Sequence, residues 1–366
     1  MLFWLLRDFA PSLRQLDLMT GDSSMFLTAR IALASLTSFL LTLVFGPMAI
    51  RWLRERFREP IRSDSARLDE IQSSKNLTPT MGGLFIIASI AIATLLWGDL
   101  ANHYVQIGLF VAMSYAALGA WDDWTKLKTN RKGLGVRQKL VIQVAIATFV
   151  GLLLYVEGQH QAVQSDLIWP FGGYRISLGI GLIAWTALVT VSASNAVNLT
   201  DGLDGLASGC MVCAGSAFIA LSYLAGHRIL AEHMSVPHVV GGGEVSVILG
   251  AMVGGLLGFL WFNCHPAQVF MGDTGSLPIG ALLAFAALVS KQEVLLVICG
   301  GVFVVEALSV ICQVASFKLT GQRVILCSPL HNHYLFRGDP ETRIVMRFWI
   351  GSALLAIVSL ATLKIR

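Results

Sequence analysis

Runs of about 20 apolar residues recur along this chain, and no other feature limits its fold so tightly. Hydrocarbon holds no water to satisfy a backbone N–H or C=O, so a segment of this kind pairs its polar groups within itself, as a helix of roughly 20 residues does across a bilayer. Reading the runs between charged or turn-rich breaks predicts ten spans, near residues 25–50, 81–98, 104–121, 140–156, 176–194, 203–225, 245–262, 276–290, 294–317 and 346–363. Only 13% of the 366 residues are charged, about half the share in an ordinary soluble domain. The connections are too short to hold a soluble domain, so any chemistry must come from loops and helix ends. The expected fold is all-α. A single ten-helix transmembrane domain fills residues 23–366, after an interfacial segment at 1–22 whose apolar run is broken by Arg7, Asp8 and Pro11.

Lys and Arg set the expected orientation. The connection after the first span carries Arg51, Arg54, Arg56, Arg58, Arg62, Arg67 and Lys75. The one after the third carries Lys126, Lys128, Arg131, Lys132, Arg137 and Lys139, and Lys318, Arg323, Arg337, Arg343 and Arg347 precede the last. Ten alternating spans put all three on one side, which is then cytoplasmic, with both termini facing out. No internal repeat of the transporter kind is visible. Cys210, Cys213, Cys264, Cys299, Cys312 and Cys327 lie in or beside apolar segments. They lack the spacing of a disulfide framework, and the C-x-x-C of Cys210 and Cys213 has no second ligand pair for zinc.

Three connections stand apart. The third span ends in GAWDDWTK, with Asp122 and Asp123 adjacent between Trp121 and Trp124. Tryptophans favour the headgroup level, where a lipid phosphate sits. The fifth and sixth spans are joined by SNAVNLTDGLDGLASG, which holds Asn195, Asn198, Asp201 and Asp204 and no basic residue. The two acids are three apart at a helix start, so they are expected to share a face and to include an N-cap. The seventh and eighth spans are joined by FNCHPAQVFMGDTGSL, whose one charge is Asp273. Thr274 and Ser276 are expected to cap the helix that follows. Each feature alone fits a solvated helix end; five aspartates on one membrane face are a stronger pattern. Hard oxygen donors suit Mg²⁺, which takes one or two carboxylates plus substrate phosphates, and the combination points to a nucleotide diphosphate.

Lys75 precedes the turn that opens the second span at Thr80, Gly82 and Gly83, so the lysine and the helix N-terminus are expected to face an anion. His331 and His333 form an H-x-H in SPLHNHYLFRG. The loop has too few ligands for a soft metal, so hydrogen bonds to phosphate or sugar are the better reading. Glu306 is the one acid placed deep in a span. Ser309 and Gln313, on nearby turns, are expected to shield it.

The segments KNLTPTMGG, GAWDDWTK, SNAVNLTDGLDGLASG, FNCHPAQVFMGDTGSL, PLHNHYLFRG and RFWIGSALLAIVSLATLKIR together resemble those of the phospho-N-acetylmuramoyl-pentapeptide transferases, a branch of the polyprenyl-phosphate sugar-1-phosphate transferases. The resemblance spans nearly the whole chain. It implies an enzyme of the bacterial cytoplasmic membrane, commonly a homodimer, with a Mg²⁺ cofactor and no nucleic-acid partner. Its substrates are UDP-N-acetylmuramoyl-pentapeptide and undecaprenyl phosphate, and its products lipid I and UMP. It assigns Asp273 to the metal, Asp122 and Asp123 to the paired acids, and Lys75, Asn198, Asp201 and Asp204 to the uridine-diphosphate site. Phe270 matches an aromatic that stacks on uracil, and His331 matches a histidine important for activity; apart from the resemblance, Thr80, Asn195, Asn263 and His333 are expected as further substrate contacts. The family usually has three consecutive histidines and then an acid two positions on. Here the middle histidine is Asn332 and the acid position is Leu335. Asn332 carries no proton. The rival readings are a sister enzyme that transfers N-acetylglucosamine-1-phosphate and, more distantly, a cation-coupled transporter.

Overall fold

The computed structural model describes residues 26–56, 75, 78–128, 133–158, 165–170, 172 and 174–364. The expected interfacial segment at 1–22 lies outside them, as do Arg58, Arg62, Arg67, Arg131 and Lys132. The elements are α1 (Leu27–Arg56), α2 (Gly83–Trp97), α3 (His103–Lys128), α4 (Val136–Gly158), β1 (Asp166–Ile168), β2 (Arg175–Ser177), α5 (Gly181–Thr200), α6 (Leu206–Gly226), α7 (Arg228–His233), α8 (Val245–Asn263), α9 (Asp273–Ser290), α10 (Glu293–Cys299), α11 (Gly301–Thr320), α12 (Leu330–Phe336) and α13 (Glu341–Ala361).

Among the described residues nine helices are long and apolar enough to cross a membrane, and the protein is a polytopic helical membrane protein. The second expected span, 81–98, corresponds to α2, whose 15 residues reach roughly 22 Å at 1.5 Å per residue. Two expectations need correction. The fold is not purely α-helical: β1 and β2 form an antiparallel hairpin with Leu167 opposite Ile176, so α5 begins at Gly181, five residues later than expected. The expected ninth span, 294–317, is broken at Gly300 into α10 and α11.

At the centre stands α9, all 18 of whose residues are buried. α3, α5 and α6 pack around it. α8 lies beside it and makes the most extensive helix pairing among the described residues with α1. A Cβ on Gly250, Gly254 or Gly258 of α8 would fall 2.9, 1.9 or 2.8 Å from the backbone oxygens of Ile31, Ser35 and Phe39 on α1. One residue in four is therefore glycine on that face, and the two backbones meet without intervening side chains. The outer face of α1 exposes Leu36, Leu40, Val44, Phe45 and Met48, and that of α11 exposes Val305, Leu308 and Ile311. These are surfaces suited to lipid. At the end of the bundle away from the acids, Arg30 of α1 makes a buried two-point ion pair with Glu244, just ahead of α8.

Candidate functional site

The site is built where α3 ends and α9 begins. Gly119 of α3 lets the helices touch, since a Cβ there would stand 2.2 Å from the Asp273 carbonyl oxygen. One turn on, the Asp123 carboxylate accepts from the Thr274 N–H at 3.0 Å, the Thr274 hydroxyl at 2.8 Å and the Asp273 N–H at 3.3 Å. These are first-turn groups of α9 with no partner inside their own helix. The expected caps, Thr274 and Ser276, do not serve: the Thr274 hydroxyl donates to Asp123, and that of Ser276 donates to the Gly272 carbonyl at 3.0 Å. Gly272 precedes them with φ 70°, and a Cβ on it would lie 2.6 Å from Asp123 Oδ2. The sharp turn and the close carboxylate both require glycine there.

Asp122 accepts from the Leu134 N–H at 2.7 Å. Asp273 accepts from the Asn198 amide at 2.7 Å, and that amide also donates to Ser276. Carboxylate oxygens of Asp122, Asp123 and Asp273 lie within 4.8 Å of one another. Three carboxylates this close need counter-charge. Lys126 supplies it, with Nζ 2.9 Å from Asp122, 3.3 Å from Asp123 and 3.1 Å from Asp273, and Lys139 of α4 pairs with Asp273. In the sequence both lysines read only as basic loop residues. Lys126 was visible as a partner, since it is three and four residues from the two acids on one helix face; Lys139 is not marked by any spacing.

Beside this cluster opens a cavity of about 280 Å³ lined by Asn198, Asp201, Asp204, Asn263, Phe270 and Asp273, with Lys75, Thr80 and Gly202 at its walls. Its floor is a zipper between the segment ahead of α2 and the one ahead of α9. The Phe270 N–H donates to Pro79, and the Gly82 and Gly83 N–H groups donate to Phe270 and Met271. Those two donors at the start of α2 are therefore committed to backbone carbonyls. Asn263 braces the opposite side, accepting from the Gly205 N–H and the Ser208 hydroxyl and donating to the Val269 carbonyl.

Asp201 and Asp204 lie in the turn before α6, whose N-cap is Gly205 with no side-chain cap, so neither acid caps the helix. Asp204 is buried. It accepts from Lys75 Nζ at 2.6 Å, from the Ala267 N–H at 3.0 Å, and has His265 Nδ1 at 3.2 Å. Glu341, at the start of α13, also binds Lys75 and accepts from the Asp204 N–H. Trp349 of the same helix donates to the Gly205 carbonyl. These α13 contacts reach across the whole chain, and nothing local in the sequence signals them. Burial pushes the Asp201 carboxyl up to about 7, helped by the charges of Asp273, Asp123 and Asp204.

Three expected contacts stand away from the cavity lining. The Asn195 amide donates to Gln143 of α4 and to the Val191 carbonyl. His333 accepts from the Leu326 N–H. His331 is 1% exposed and packs behind Gly202. Glu306 has His331 as its neighbour rather than the expected shield. The Ser309 hydroxyl donates to the Glu306 backbone oxygen, and Gln313 pairs with the backbone of Val324 and Ile325.

Carboxylates gathered beside a polar cavity within a bundle of apolar helices make a membrane-embedded site suited to a cation or a phosphate-bearing ligand. The glycosyl transferase family 4 model matches residues 105–291, which contain all five aspartates. The phospho-N-acetylmuramoyl-pentapeptide-transferase of Pelobacter propionicus is 45% identical over 356 residues, covering 95% of this chain and 98% of its own length. Those of Solidesulfovibrio magneticus and Desulforapulum autotrophicum are 46% and 43% identical, each covering 93% of this chain and 94% of its own. The chain belongs to the phospho-N-acetylmuramoyl-pentapeptide-transferase family.

Proposed function

We propose that this protein transfers phospho-N-acetylmuramoyl-pentapeptide from its UDP conjugate to undecaprenyl phosphate, releasing UMP and forming lipid I. One observation carries the reading. Asp122 and Asp123 of α3 converge with Asp273 of α9, from 150 residues away, at the mouth of a cavity walled by Lys75, Asn198, Asp201 and Asp204. At about 280 Å³ the cavity is near the lower end of ligand sites, which run about 300–1,000 Å³. It suits the nucleotide end of the donor and leaves the peptide outside. In this reading ten segments cross the bacterial cytoplasmic membrane, counting α2 and taking α10 and α11 as one. Both termini face outward, the acids face the cytoplasm where UDP-sugars are made, and the working unit is a homodimer.

The donor set fits Mg²⁺. Asp122 and Asp273 offer hard oxygens within one ion's reach, and the Lys126 and Lys139 ammonium groups already gather positive charge there. Asp123 is the weaker ligand, because Thr274 engages it twice. When bound, the ion withdraws charge from the diphosphate as a Lewis acid and template. The residues do the rest. Asp122 takes any proton left on undecaprenyl phosphate. The lipid phosphate oxygen attacks the sugar-bound phosphorus, a P–O bond forms, and the bond to UMP breaks with its electron pair leaving on UMP. Lys126 and Lys139 hold the charge on the incoming phosphate, so the work is positioning and electrostatics.

The test compares UMP release from membranes supplied with UDP-N-acetylmuramoyl-pentapeptide or UDP-N-acetylglucosamine. Turnover of the first is expected; turnover of the second alone would refute the reading. Asp273→Asn is expected to insert normally and lose transfer. A trapped aspartyl phosphate would replace the single displacement by a two-step route.

A further inference from the structure

Glu306, in the second turn of α11, has no exposed surface. A carboxylate so placed is strongly disfavoured without a partner, and the partner is His331. The His331 N–H lies 3.1 Å from Oε1 and 3.5 Å from Oε2. The imidazole Nδ1 stands 3.3 Å from Oε2, an ion-pair distance without the alignment of a hydrogen bond. Pro329 begins α12 with no side-chain cap, so Glu306, from another helix, takes up a first-turn N–H. The opposite edge of the ring faces Gly202: a Cβ on that glycine would stand 2.3 Å from His331 Nε2. Gly202 lines the cavity between Asp201 and Asp204, whereas His331 does not.

We propose that Glu306, His331 and Gly202 form a strut that fixes the turn carrying Asp201 and Asp204. Glu306 is then a positioning residue. It anchors His331 through the backbone N–H, with the Nδ1 edge of the ring lying against the carboxylate, and the Nε2 edge sets the height of Gly202 and hence the aim of the two carboxylates at the donor nucleotide. His331 supports the donor subsite from behind. A proton-transferring group must reach the substrate within hydrogen-bond distance, and a ring 1% exposed behind the cavity wall does not. This proposal rests on the transferase reading above, and it gives the family histidine a mechanical role.

The test uses the full-length protein in nanodiscs, with UMP release measured while donor and lipid are titrated separately, and UMP binding measured by calorimetry. Glu306→Gln is expected to raise KM for the UDP-sugar about 10-fold, the low end for losing an orienting partner. KM for undecaprenyl phosphate should not change, and UMP binding should weaken in parallel. His331→Gln should leave both limbs of the kcat pH profile in place. Gly202→Ala pushes a methyl group into the imidazole, so combining it with His331→Ala should cost less than the product of the single losses. This cycle reads the same contact if Glu306→Gln fails to fold. Wild-type protein inactive with the muramoyl donor would overturn the transferase reading, while UMP calorimetry still reports on the strut. Active wild-type protein with an unchanged donor KM in Glu306→Gln overturns the strut alone. So does a lost pH limb in His331→Gln, or independence of Gly202 and His331.

Discussion

The Asp123 carboxylate of α3 holds the first turn of α9 through Thr274, at 3.0 Å from its N–H and 2.8 Å from its hydroxyl. A pair of adjacent acids thus divides its work, with one neighbour fastening two helices and the other turned toward Lys126 and Lys139. Removing a buried acceptor leaves its donors unsatisfied at about 1–3 kcal/mol. Asp123→Ala should therefore lower the midpoint of thermal unfolding in detergent by several degrees more than Asp122→Ala, while both lose transfer. Equal midpoints would show that Asp123 is not the fastening residue.

Lys139 occupies space between carboxylates that a divalent cation would use. Replacing it by Gln removes a competing charge, so half-saturation with Mg²⁺ should come at lower concentration even as kcat falls. Metal titration of UMP release checks this, and an unchanged or higher half-saturation would contradict it.

Desolvation and three neighbouring acids oppose the Asp201 charge and push its carboxyl up to about 7. Below that pH the group is neutral; above it, it adds a negative charge facing Asp273. Apparent Mg²⁺ affinity should rise between pH 6 and pH 8, with metal binding pulling the proton off in return. Asp201→Asn should flatten this rise. An equally steep rise in the variant would place the proton elsewhere.

Asn195 and Asn198 sit three residues apart and serve different partners. Asn198 reaches Asp273, whereas Asn195 ties α5 to Gln143. Asn198→Ala should cut kcat about 100-fold, as loss of a partner that orients a ligating carboxylate does. Asn195→Ala should leave donor KM near the wild-type value and lower thermal stability instead. Reversal of the two phenotypes would exchange their roles.

The spans were legible because a period-free apolar run has one solution in a bilayer, and the five acids were legible because they are the only acids of their three connections. Their partners were harder to see. Lys139, Gln143, Glu341 and Trp349 come to the site from distant helices, and no local pattern marks a residue whose partner is far away in the chain. The break at Gly300 escaped because α10 and α11 are both apolar, so hydropathy runs on through a bend. The hairpin at 166–177 was hidden by its proximity to an apolar run. Glu306 was visible as an anomaly, and its neighbour His331 comes from α12, 25 residues further on.

Every residue of helix α9 is buried by the rest of the protein, and Asp273 is its first residue. Variation in bilayer thickness, tail saturation or lateral pressure acts on the outer helices and reaches α9 only through side chains packed as tightly as an organic crystal. Asp273 thus rides on an element shielded from the membrane's mechanical state, so the geometry of the acid cluster should hold steady as a growing cell remodels its lipids.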